Sequence, residues 1–101
     1  MMEHYRQDAE HAAAQLHAPD DIAALLDACL VDNARDPKRL ALMLGAVASK
    51  AGMSDVARAC HLSTETLRHE LGGQRSPRFS TIQRAMHALG VELRVRVLEP
   101  R

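Results

Sequence analysis

Between Ser63 and Arg78 the chain collects side chains that hydrogen-bond well and carry little apolar bulk. Thr64, Glu65, Thr66, Arg68 and His69 fall around Leu67 on a predicted short helix, and Ser63 stands at its N-cap. Hydroxyl, carboxylate, guanidinium and imidazole groups on one helical face form a set that can read base edges or hold phosphate oxygens. Gln74, Arg75, Ser76 and Arg78 follow in a segment punctuated by Gly72-Gly73 and by Pro77, which disfavours helix at Ser76. Two guanidiniums and two neutral donors in one loop suit backbone phosphate. The bland alternative is a solvated surface, on which exposed ion pairs contribute little.

Other chemistries find less support. Of the six histidines, His4, His11 and His17 lie seven and six residues apart, not at the i, i+4 spacing of a helical zinc site. Cys60 and His61 are adjacent and point in different directions, and no spacing matches a zinc finger. No metal and no cofactor are expected. The sequence holds no G-x-S-x-G and no phosphate-binding P-loop, and no Cys/His pair is placed to meet, so an enzyme is not expected either. Cys29 and Cys60 stand in Ala/Leu-rich amphipathic segments and read as small buried apolar residues of a reducing compartment. A cytoplasmic location is the expectation: Met1 to Leu16 lacks a signal-type apolar stretch, and no run approaches the roughly 20 apolar residues of a membrane span.

The elements that must position these residues are densely marked. Residues 1–19 read as a separate N-terminal arm, rich in Ala and closed by Pro19. Asp20 and Asp21 start a helix whose apolar positions are Ile22, Leu25, Leu26, Cys29 and Leu30, and which fades near Asn33. Asp36-Pro37 starts a second, carrying Leu40, Leu42, Met43, Leu44, Val47 and Ala48 to Lys50 and Gly52. Ser54 opens a short third helix with Val56, Ala57 and Cys60 inward, and His61-Leu62 form a turn. Ser63 to Leu71 is the fourth. Ser80 with Gln83 forms a capping box for the fifth, which runs through Ile82, Met86 and Leu89 to Gly90. Ala57 stands where the two short helices must approach closely, and Leu62 and Leu67 anchor the fourth helix.

The tail changes period. Val91, Leu93, Val95 and Val97 alternate with Glu92, Arg94 and Arg96, the pattern of a half-buried strand. A lone strand is unstable in water, so pairing with a second copy is expected first and with a strand of another protein next, the bland alternative being that it packs on its own domain's surface. The expected fold is therefore all-α: five helices, two of them very short, plus one C-terminal β-strand paired across a homodimer. The division is an arm over 1–19, a helical domain over 20–90, and a strand with its tail over 91–101.

At 101 residues one domain is the default, and 47% hydrophobic residues suffice for a core. Tyr5 and Phe79 are the only aromatic residues, too few for a single-stranded module built on stacking. The formal net charge of zero conceals a split. Residues 1–62 hold six Lys+Arg and nine Asp+Glu, a net −3, whereas 63–101 hold seven and four, a net +3. The half that starts with the candidate reading helix is the basic one, as a duplex binder needs.

The segment from Met53 to Val91 resembles the helix-turn-helix domain of lambdoid phage repressors and many bacterial antitoxins. More narrowly, Asp20 to Val97 resembles the probable addiction module antidote family. The matching elements are Ala51-Gly52-Met53, then Leu62-Ser63-Thr64-Glu65-Thr66-Leu67, then Pro77-Arg78-Phe79-Ser80-Thr81, then Ala88-Leu89-Gly90-Val91. Two positions depart from the pattern: His61 stands where Gly is frequent, and Arg68 where an aromatic residue is frequent. The resemblance implies a cytoplasmic antitoxin that neutralises a small basic toxin of the RelE/ParE-like class and represses its own operon by binding double-stranded operator DNA. The acidic region 1–35 is then the expected toxin surface. A stand-alone prophage-type repressor without a toxin is the alternative, and a helix-turn-helix frame kept mainly for protein contact is another.

Overall fold

The computed structural model describes residues 18–32 and 36–98, and five helices form within them: α1 (Pro19–Asp32), α2 (Pro37–Ala51), α3 (Met53–Ala59), α4 (Thr64–Glu70) and α5 (Phe79–Ala88). The expected N-terminal arm lies outside the described residues up to position 17. Pro19 does not close that arm. It is the first residue of α1, where a missing N–H leaves no helical bond unmade. The Ala18 carbonyl accepts the first bonds, from the N–H of Asp21 at 3.0 Å and of Ile22 at 3.2 Å. Leu26 and Cys29 are buried, with Ile22, Leu25 and Leu30 packed beside them.

The central helix is α2, which packs against α1, α3 and α5. Its start is as expected: Pro37 is in the first turn, and the Asp36 carboxylate accepts from the Lys38 N–H at 3.2 Å. Its buried residues include Leu40, Ala41, Leu44, Val47 and Ala48. Gly45 lies among them for a different reason. A Cβ there would stand 2.9 Å from the Leu71 carbonyl oxygen and 3.2 Å from Leu71 Cβ. The backbone just after α4 rests on α2 at this point, and only a residue without a side chain admits it.

At Gly52 the chain turns through 110° between α2 and α3. Gly52 has φ 118°, a value that L side chains rarely adopt. Its N–H closes α2 on the Ala48 carbonyl at 2.9 Å, and its own carbonyl accepts from Asp55 and Val56, both at 3.1 Å. One residue thus ends one helix and caps the next. This corrects the expectation for Ser54, which lies inside α3 rather than at its cap.

The core runs through all five helices. Leu44, Val47, Cys60 and Leu67 are its most completely enclosed large side chains. Cys29 and Cys60 are both buried and are not joined in a disulfide, as expected of small apolar residues. Beyond α5 the chain leaves the helix at Gly90, with φ 86°. No strand forms among the described residues: 91–98 is irregular, because no second strand among them supplies a ladder. Val91 and Leu93 pack against the core, whereas Val95, Val97 and Leu98 are almost fully exposed.

Candidate nucleic-acid interface

The turn between α3 and α4 is built from backbone bonds. The His61 N–H donates to the Arg58 carbonyl at 3.1 Å, and the Leu62 N–H to the Ala57 carbonyl at 3.0 Å. That pair of bonds is the Schellman arrangement, in which the residue after the cap takes the left-handed conformation. His61 takes it, with φ 59°. Leu62, next in the chain, packs against the core and closes the turn. Arg84 of α5 braces the same corner by donating from Nη1 to the Cys60 carbonyl at 3.3 Å. Burial pushes the Cys60 thiol up, partly offset by the Arg84 charge, so it is held protonated. Ala57 is buried at the approach of α3 to α4.

Ser63 caps α4 as expected. Its Oγ accepts from the Thr66 N–H at 3.0 Å and donates to Thr66 Oγ1 at 2.8 Å. Ser63 and Thr66 therefore spend part of their hydrogen-bonding capacity on each other. Leu67 is 0% exposed and pins α4 to the core, leaving Glu65, Thr66, Arg68 and His69 exposed and Thr64 half-buried. Arg68 lies at one edge of this face, over a groove of about 200 Å³ bordered by Gly45, Ser49 and Met53. After α4, Gly73 takes φ 80° and the chain runs out through Gln74, Arg75, Ser76 and Arg78, all exposed. Pro77 is half-buried between them. Phe79 follows at the first position of α5 and is 65% exposed, an apolar ring beside the arginine loop.

The capping box expected from Ser80 and Gln83 does not form. The N-cap of α5 is Arg78, and both Ser80 and Gln83 are exposed. The acceptor comes from α4 instead. Glu70 Oε1 takes the Arg78 N–H at 3.1 Å and the Thr81 hydroxyl at 3.0 Å. Glu70 is only 6% exposed. Burial pushes its carboxyl up, but the hydrogen bonds from Arg78 and Thr81 and the charges of Arg78 and Arg75 together outweigh this and hold it below its ordinary value. Glu70 was not among the residues singled out in the sequence.

The four residues expected to pair two chains divide in the structure. Val91 and Leu93 face the core, and Val95 (99% exposed) and Val97 do not. A groove between α1 and this segment is lined by Leu26, Leu30, Val31, Met86 and Leu93. His4, His11 and His17 lie outside the described residues. Among the described residues no three His, Cys, Asp or Glu side chains converge on one point.

A family model described as "probable addiction module antidote protein" matches residues 7–97. The chain belongs to that family. An antidote counters a toxin, so membership implies a toxin partner in general terms. No curated protein and no solved structure matches the chain.

Proposed function

We propose that this antidote-family chain is a DNA-binding antitoxin. In this reading α3 and α4 form a helix-turn-helix, and α4 enters the major groove of its own operator. The carrying observation is the division of α4: Leu67 is wholly enclosed while Glu65, Thr66, Arg68 and His69 stand exposed, followed by an exposed loop with Arg75 and Arg78. Glu65, Arg68 and His69 contact base edges, with Thr64 and Thr66 beside them, and Ser63 presents the start of the helix. Gln74, Arg75, Ser76 and Arg78 hold phosphate. Two copies pair through 91–98, which sets two α4 helices about 34–36 Å apart on a palindromic site. The toxin is small and basic, of the RelE/ParE-like class, and meets the acidic region 1–35. Support there comes from exposed Asp20, Asp21 and Asp27 on α1, beside exposed Val31.

The test uses a duplex carrying the DNA immediately upstream of the chain's own gene. Arg68→Ala is expected to weaken binding by about 1–3 kcal/mol, and Arg75→Ala to lower the salt dependence by about one phosphate contact. Both variants should keep the wild-type circular dichroism spectrum. Unchanged binding by both at moderate salt contradicts the assignment. A monomer in sedimentation at concentrations that bind this duplex contradicts the pairing. Crosslinks from the neighbouring gene's product confined to 54–90 contradict the toxin surface.

A further inference from the structure

Glu70 belongs neither to the apolar core nor to the exposed face of α4. A buried carboxylate is costly unless hydrogen-bonded, and Glu70 meets that need across two elements rather than within its own helix. One oxygen takes the backbone N–H of Arg78 and the hydroxyl of Thr81, so the last residue of α4 is tied to the first turn of α5. The span between the tied ends is 71–78, which contains Gln74, Arg75, Ser76 and Arg78. Its start is fixed by Leu71, which is buried and rests on Gly45. The Arg75 and Arg78 charges both act on the carboxylate. Across 74–76 the side chains are exposed, so the tie at Glu70 holds a loop that the core does not.

We propose that Glu70 is a positioning residue for phosphate recognition. It clamps the arginine loop in register with α4, so that Arg75 and Arg78 meet a duplex backbone at the same time as the α4 face. The clamp stands on the hydrogen bonds alone, and its use for phosphate rests on the DNA reading above. A loop already held in its bound shape loses less freedom on binding, which is how a residue that touches no DNA strengthens the contact. Glu70→Gln keeps an acceptor oxygen at the same place and removes the charge. Glu70→Ala removes the acceptor. Thr81→Val removes one donor and leaves the volume nearly unchanged.

Two readouts on the full chain separate the clamp from its use. Trypsin cleavage after Arg75 reports local opening of the loop. Glu70→Ala is expected to speed it about tenfold, Thr81→Val to speed it less, and Glu70→Gln to leave it near wild type. Affinity for the upstream duplex is expected to fall about tenfold in Glu70→Ala and to recover in Glu70→Gln. Arg75→Ala should cost little more affinity once Glu70→Ala is present, because the two act as one unit. If Glu70→Ala does not fold, Thr81→Val and Glu70→Gln carry the same comparison. Wild-type cleavage rates in Glu70→Ala or Thr81→Val overturn the clamp. Faster cleavage with undiminished duplex affinity overturns the positioning role. Faster cleavage in a chain whose wild type binds no duplex overturns the phosphate role together with the DNA reading, and leaves the clamp standing.

Discussion

His61 holds a backbone conformation that glycine occupies more easily, with φ 59° at the turn that sets α4 against α3. A left-handed residue with a Cβ costs about 1–2 kcal/mol, and glycine gives back part of that through its freer unfolded chain. His61→Gly should therefore stabilise the chain by about 0.5–1 kcal/mol in urea denaturation. A loss of stability contradicts the strain. The turn at His61-Leu62 was legible in the sequence, as was the Ser63 cap, because both depend on neighbours within five residues. Glu70 was not legible. Its partners are 8 and 11 residues downstream, and the local pattern of Ser80 and Gln83 offered a rival cap of the ordinary kind. Only the packing of α4 against the start of α5 reveals that the acceptor arrives from elsewhere. An acidic residue at the end of a short helix, eight places before the N-cap of the next, is the weak signal that was available.

At the scale of elements, the five helices and their order followed from apolar spacing and from punctuation by Pro, Gly and Asp. Their contacts followed less well. Gly45, alone in the middle of a helical pattern, is the clearest case. Propensity alone says that Ala there would favour the helix by about 1 kcal/mol. Geometry says the opposite, because the added Cβ would press on the Leu71 backbone at 2.9 Å. Gly45→Ala should therefore destabilise the fold by about 1–3 kcal/mol, measured by thermal or urea unfolding. A stabilised variant would show that α2 and the end of α4 are not held together there. Gly52 makes a related point: its use as both the end of α2 and the cap of α3 displaced the start expected at Ser54. In the tail, alternation put Val91 and Leu93 on one face with Val95 and Val97, and only the first two pack against the core. The strand it implies through Val97 needs a pairing partner that the described residues of one chain do not supply.

The molecule as a whole has a zero formal charge made of two unequal halves, −3 before Ser63 and +3 from it onward. An antidote must meet its toxin, and in the proposed reading it also meets DNA. In that reading the acidic residues on α1 and the basic ones on α4, the loop and the tail give each partner its own surface. In the proposed reading, the modest positive charge of residues 63–101 makes duplex binding depend on two copies acting together and fall with salt in proportion to the phosphates each copy contacts. The most direct measurement is an amide chemical-shift titration of the full chain with the upstream duplex at low salt. Shifts are expected at 63–69 and 74–79, with α1 at 19–32 undisturbed. Shifts confined to α1, or none anywhere while the chain remains folded, would contradict the DNA reading.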